Sequence, residues 1–332
     1  MVKLMAEPPL GSYLVLGASG LAGYHALKKL AHKPGITVTA VHHLRAVQIT
    51  ADNIRTVQFD LRQMGGLDEI MKGHDYVLHF AGIVATVPVL MRDPIGPVND
   101  TLAIVANVLA AAWRSEVRKV IWLSSTTGYP ELDHELVEAD MFVGNPPPTW
   151  YAIGWMSRYL ETLCQAYVEY IGKYSENLRM IVTALRPTLM FGENDDFSFD
   201  HGHFLPAMIR RVVERHNPIE IWGDGEQTRD LIYAGDVVDA AFLSLDRSKG
   251  FESFNISSGN SITINQVVKS IIEIDSFNNA RIEHKLDRLG GRKKIRISNK
   301  KARNLLDFVP STPLNEGLKA TINWYRNVNK IS

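Results

Sequence analysis

Tyr13-Leu14-Val15-Leu16-Gly17-Ala18-Ser19-Gly20-Leu21-Ala22-Gly23 is the stretch that decides the fold of this chain. A short apolar run passes through three glycines, spaced G-x-x-G-x-x-G, directly into an amphipathic segment that continues to Ala31. Glycine lets the backbone bend tightly at a strand-to-helix turn. The free N–H groups of the helix N-terminus then face a bound anion such as a pyrophosphate. Gly17, Ser19, Gly20, Leu21 and Gly23 are accordingly the expected phosphate cradle of a dinucleotide. The spacing departs from the stricter G-x-G-x-x-G fingerprint, so the position between strand and helix carries the reading. No Lys-Ser/Thr pair follows the last glycine, which excludes a nucleotide-kinase loop.

Beyond the turn, further short apolar runs at 37–41, 56–59, 76–80, Lys119–Leu123 and 180–185 alternate with helix candidates at 66–72, 99–115 and 151–173. Most of these runs are apolar at every position, as strands covered on both faces are. The expectation is an α/β fold, a Rossmann-type doubly wound parallel sheet. Residues 1–190 read as the dinucleotide-binding domain, with 231–257 returning to it, and 191–330 as a mainly substrate-binding region. In that second part, helices are expected at 204–214, Ile264–Ile274 and 314–325, and a strand at Ile219–Trp222. Asp236 is expected as the N-cap of a further helix, and Phe254-Asn255-Ile256 as a strand of the main sheet. Pro146-Pro147-Pro148 reads as a stiff loop before the longest helix.

An NAD site usually presents an acidic residue some 20 residues past the glycines, where it binds the adenosine ribose. From Gly23 to Ala51 this chain has none, and the second strand runs into His42-His43-Leu44-Arg45. Those side chains suit a 2′-phosphate, so NADP is preferred over NAD. Asp60 and Leu61, after the third strand, are candidates to meet the adenine ring.

Composition narrows the partners. The 332 residues are 45% apolar, with 36 basic and 36 acidic side chains. Zero formal charge without a long single-sign run leaves no electrostatic footprint for nucleic acid or an anionic membrane. The longest strongly apolar stretch, 102–113, is roughly half of what a bilayer crossing needs, and residues 1–11 contain no apolar signal core. A single cysteine, Cys164, offers no disulfide and no thiolate metal cage. A cytoplasmic protein with a small-molecule partner and no metal is expected. His201-Gly202-His203 does not change that, since alternate residues of an extended segment point apart.

At the end of the fifth strand stands Ser124-Ser125-Thr126-Thr127-Gly128-Tyr129-Pro130, and Tyr151 opens the long helix. With His79-Phe80-Ala81-Gly82, Tyr151-Ala152-Ile153, Arg186-Pro187-Thr188, His203-Phe204-Leu205-Pro206-Ala207, Trp222-Gly223-Asp224-Gly225 and Arg229 with Asp236, the chain resembles the extended short-chain dehydrogenase/reductase family. That family holds nucleotide-sugar epimerases, dehydratases and reductases, and the resemblance is greatest to its GDP-fucose synthase branch. It implies Tyr151 as the general acid or base at the sugar carbon that exchanges a hydride, and Ser125 as hydrogen-bond partner of the same oxygen. It also implies Ala81, Gly82, Pro187 and Thr188 around the cofactor. On the sugar nucleotide it implies Ser125, Thr126, His203, Arg211, Trp222 and Arg229, with dimers pairing through the two long helices.

Where the family carries a Lys four residues after the Tyr, this chain has Trp155. Arg158, two turns along, either reaches back or lies exposed on the helix. Family dehydratases carry an Asp-Glu pair where Thr126 and Thr127 stand, and hydroxyls cannot replace an acid pair. The fucose synthase pattern has a Cys at Thr127 and a His at His203, so two-base epimerisation loses one member here. Hydride chemistry at C4 remains, either as a 4-keto reductase or as a 4-epimerase, whose Thr the residue Thr127 resembles. The competing expectation is a catalytically impaired sensor that binds the dinucleotide or the nucleotide sugar.

Overall fold

The computed structural model describes residues 6–83, 86–171, 180–287 and 295–331. In chain order the first part runs β1 (Gly11–Leu16), α1 (Leu21–Leu30), β2 (Ile36–His42), β3 (Ile54–Gln58), α2 (Leu67–Met71), β4 (Tyr76–His79), α3 (Val87–Arg92), α4 (Gly96–Arg114), β5 (Lys119–Leu123), α5 (Tyr151–Glu169) and β6 (Ile181–Pro187). The remainder runs β7 (Leu189–Phe191), α6 (Phe204–Val213), β8 (Ile219–Trp222), β9 (Thr228–Tyr233), α7 (Ala234–Arg247), β10 (Phe251–Ile256), β11 (Ser261–Thr263), α8 (Ile264–Ile274), β12 (Ile282–Lys285), α9 (Lys300–Leu306) and α10 (Leu314–Asn329).

Seven strands form one parallel sheet in the order β10-β6-β5-β4-β1-β2-β3. The alternation of β1 shows why its sequence is apolar throughout. Tyr13 and Val15 face one layer, packing with Ala26, Leu27 and Phe242 of α1 and α7. Leu14 and Leu16 face the other, with Val105 and Val108 of α4 and Leu160 of α5. At the edge, β3 is covered less and carries Arg55, Thr56 and Gln58 in exposed positions. Strand order reverses between β1 and β4, and the crevice outside their carboxyl ends is where an open α/β sheet takes its ligand.

As expected, β10 lies in the central sheet, parallel to β6. The rest builds a separate apolar cluster in which α6, α8 and α10 meet through Ile209, Val268, Leu318 and Ile322. There β9 pairs in parallel with β7 and antiparallel with β11, and β12 pairs with β8. The long helix expected over 151–173 ends at Glu169, and Lys173 lies outside the described residues. One expected cap is corrected: Tyr233 occupies the N-cap of α7, and Asp236 sits inside the first turn. From there Asp236 accepts from Ser311 Oγ at 2.8 Å and from Thr312 N at 3.1 Å, fastening the segment that leads into α10. Among the described residues no helix is long and apolar enough to cross a membrane.

Candidate active site

The glycine turn leaves space for backbone only. Gly17 has φ +79°, and a Cβ built on it would lie 2.7 Å from Ala81 N. On Gly23 a Cβ would come within 2.2 Å of Gly17 O, so this glycine lets α1 seat on the turn. Gly20 precedes α1, and no side chain caps the helix start. Apart from its chain neighbours, none of the described residues comes within 4 Å of a Cβ built on Gly82. A close-packed turn and an uncapped helix N-terminus fit the pyrophosphate of a dinucleotide.

Sequence reasoning missed a contact that holds this turn. Asn194, left-handed at φ +65° and buried, donates from Nδ2 to Ser19 O at 3.0 Å and to Gly20 O at 3.4 Å. Asn tolerates that backbone better than other non-glycine residues, but nothing local ties residue 194 to residue 19.

At the adenosine end, His42 closes β2, and His43 and Arg45 lie exposed beyond it. Asp60 accepts from Arg62, whose guanidinium also meets Asp100 at 3.0 Å. The Arg62 bond holds the Asp60 carboxyl down at about 2, so it carries its charge at neutral pH. Leu61 is buried beside it. Thr188 is nearly enclosed, and its hydroxyl donates to Asp230 at 2.8 Å. The hydroxyl expected to serve the cofactor is thus engaged inside the protein.

The corner expected to be catalytic forms where β5 ends. Ser125 Oγ lies 2.9 Å from Thr127 Oγ1 and accepts from Thr127 N at 3.1 Å, starting a single 3-10 turn over Thr126–Gly128. Helix α5 packs directly on this turn. A Cβ on Gly154 would lie 2.9 Å from Thr127 O, and Pro146 of the proline run presses on the same glycine. Tyr151, three residues earlier, opens the helix half-exposed, with its ring edge-on to Trp155 at 6.3 Å between centroids.

Both sequence-based expectations for Arg158 are overturned. Its side chain is 1% exposed and is spent on backbone carbonyls: Nε to Gly128 O at 3.0 Å, Nη1 to Gly144 O at 2.7 Å and Nη2 to Val143 O at 3.2 Å. The guanidinium also lies 4.7 Å from the Trp155 ring. Carbonyls of two loops, unrelated to helix periodicity, bury this charge. Cys164 lies wholly buried at its expected core position, and burial pushes its thiol well up.

His203 stands at the N-cap position of α6. Burial pulls its imidazole below the usual range, against the nearby Asp196 charge. Arg211 stacks on Phe199 at 4.8 Å, with Arg210 at 4.2 Å from the same ring. Arg211 Nε is buried without a hydrogen-bond partner among the described residues. Arg229, on β9, donates to Thr228 O at 2.8 Å, and Trp222 ends β8 exposed. Asp195 carries a second unanticipated feature. Its enclosed carboxyl accepts from Asp196 N at 2.8 Å, and its other oxygen has no partner among the described residues. Burial raises it to about 7, assisted by the Asp196 charge and opposed by the hydrogen bond and by Arg45. Arg45, beyond β2, and the segment after β7 thus act on one another electrostatically.

Comparison with known proteins identifies the family. Residues 13–257 match the model of the NAD dependent epimerase/dehydratase family. A protein of Arabidopsis thaliana named putative GDP-L-fucose synthase 2 is 29% identical over 259 residues, 75% of each chain. Among solved structures, the UDP-glucose 4-epimerase of Thermotoga maritima with UDP-glucose superposes with a TM-score of 0.81 at 25% identity, covering 96% of this chain and 99% of that one. MoeE5 in complex with UDP-glucuronic acid and NAD gives 0.80 at 26% identity, covering 96% and 100%. The family match begins inside β1 and ends just past β10, so it takes in the whole parallel sheet, and on that span the chain belongs to the NAD dependent epimerase/dehydratase family of nucleotide-sugar enzymes.

Proposed function

We propose that this protein is a nucleotide-sugar 4-keto reductase or 4-epimerase that uses NADP in preference to NAD. The observation that carries the reading is the docking of the Ser125–Thr127 hydroxyl pair against the helix that Tyr151 opens, beyond the carboxyl end of β5. When bound, a nicotinamide supplies or accepts the hydride at the sugar carbon. Tyr151 then gives or takes the proton on the C4 oxygen, and Ser125, steadied by Thr127, hydrogen-bonds the same oxygen. In the reducing direction a carbonyl becomes a hydroxyl, its hydrogen on carbon arriving as hydride and its hydrogen on oxygen from the phenol. Thr126, His203 and Trp222 hold the sugar nucleotide. Arg211 and Arg229 meet its diphosphate, where guanidinium forks suit phosphate oxygens, and the partnerless Nε of Arg211 supports that role.

The cofactor preference rests on His42, His43 and Arg45 and on the absence of an acidic residue between Gly23 and Ala51. MoeE5 and its NAD stand on the other side, so both cofactors belong in the test. Pairing of two copies through α4 and α5 is part of the same proposal. The experiment offers NADPH and NADH with GDP-, UDP- and CDP-linked 4-keto sugars, following 340 nm absorbance, and NADP and NAD with the 4-hydroxy sugars, separating the C4 epimers by chromatography because epimerisation returns the hydride and leaves no net absorbance change. Turnover that Tyr151→Phe abolishes, with cofactor binding retained, is the expected result. Cofactor binding without conversion of any sugar nucleotide overturns it. Trp155, engaged with Arg158 where an ammonium would otherwise stand, favours the sensor reading, which that second outcome would establish.

A further inference from the structure

Beneath the catalytic corner lies a polar network that the reaction itself does not use. Arg186 of β6 and Glu161 of α5 are each 1% exposed. The guanidinium grips the carboxylate with two parallel bonds, Nε to Oε1 at 2.9 Å and Nη2 to Oε2. Nη1 donates to Tyr129 OH at 2.7 Å and to Glu138 O at 3.0 Å, and the phenol in turn donates to Asn255 Oδ1 of β10 at 2.6 Å. Ser124, the last residue before Ser125, donates from Oγ to Glu161 Oε1 at 2.5 Å.

A buried ion pair adds little net stability, because desolvating two charges costs about as much as their attraction returns. Direction is what such a pair supplies. Its two parallel bonds fix the orientation of Glu161, and through it the rotation of α5 about its axis. Ser124 brings the same carboxylate into contact with the chain entering the Ser125 turn, and Tyr129 holds the chain leaving it. One carboxylate and one guanidinium thus bind both ends of the hydroxyl turn and the helix that Tyr151 opens.

We propose that the Arg186–Glu161 pair, acting through Ser124 and Tyr129, is a positioning device that sets the Ser125–Thr127 hydroxyls against Tyr151. This rests on the functional reading above for its catalytic consequence. The test is Ser124→Ala, which removes one hydroxyl and leaves the ion pair intact, with Ser124→Thr as the variant that keeps the hydroxyl. Two readouts are taken: kcat with KM for each substrate, and hydrogen–deuterium exchange at the Thr127 and Tyr129 amides. Ser124→Ala is expected to lower kcat about tenfold, since small misplacements of reacting groups cost that or more. Cofactor KM stays near the parent value, the thermal midpoint falls by about 3 °C from the lost buried bond to Glu161, the two amides exchange faster, and Ser124→Thr restores all of these readouts. A lowered midpoint with kcat unchanged, or unchanged exchange with kcat unchanged, overturns the proposal. Faster exchange in a protein whose parent form turns over no sugar nucleotide sinks the functional reading and leaves the positioning of the turn standing.

Discussion

Replacing Arg158 by Met tests whether a charge that the sequence leaves reaching back along the helix or exposed on it instead holds the Ser125 turn against α5. Met keeps the apolar stem but abandons three carbonyls. The Gly128 carbonyl, accepting at 3.0 Å in a buried position, loses a charged donor worth about 2 kcal/mol. Val143 and Gly144 sit in exposed positions, so water can replace most of their bonds, at a loss of about 0.5 kcal/mol each. Stacking on Trp155 adds about 0.5 kcal/mol at its exposed site. Release of a desolvated guanidinium returns part of this, leaving a net loss of about 2 kcal/mol. In a chain of this length that lowers the thermal midpoint by about 3 °C. Urea unfolding followed by circular dichroism measures it, with Arg303→Met on exposed α9 as the control, expected within about 0.5 kcal/mol of the parent. An Arg158 variant no less stable than the Arg303 control would refute the assignment of its three bonds.

Trp155→Lys places an ammonium one helical turn from Tyr151. At ~6 Å and an effective dielectric between 20 and 80, attraction to a phenolate is about 0.7–2.8 kcal/mol, so the pH–rate profile moves toward acid by roughly one pH unit. An unmoved profile ends that account, and the variant should lose about 1 kcal/mol of stability because Arg158 gains a like-charged neighbour. Gly23→Ala drives a methyl to 2.2 Å from Gly17 O, so α1 must shift; calorimetry should show NADPH affinity reduced by about tenfold or more, and undiminished binding would mean the turn is not the cradle. Asp195→Asn bears on pH. The folded protein holds a proton on Asp195 up to about pH 7, whereas a free Asp releases it near 3.8. Between those values the folded state binds the extra proton, so stability falls as pH rises through that window and stays lost above it. The Asn variant should therefore exceed the parent by ~4 kcal/mol at pH 8 and lose that advantage near pH 4; equal stability at both pH values contradicts the buried carboxyl.

What the sequence showed and what it hid divide along one physical line. Strands such as β1 are legible because both faces are covered, which makes Tyr13 to Leu16 apolar at every position. The glycine turn is legible because its strain lies within a few consecutive residues. By contrast β9 begins Thr228-Arg229-Asp230, three polar residues that carry no strand pattern, yet Asp230 is buried, accepting from Thr188 Oγ1 and from the Ser258 and Gly259 amides. Arg158, Asn194 and the Arg186–Glu161 pair were hidden in the same way. Each polar group finds partners supplied by distant loops and strands, and periodicity carries no record of them. A charged residue is assigned to solvent by default because desolvation is costly, and the default fails where a full set of partners removes that cost. Arg158 and the Arg186–Glu161 pair lie under the hydroxyl turn and the start of α5, and Asn194 under the glycine turn, while Tyr151 itself stays half-exposed. The polar interior is therefore the support of the site, and the next functional residues to look for in this chain are buried charges with complete partner sets, ahead of exposed ones with none.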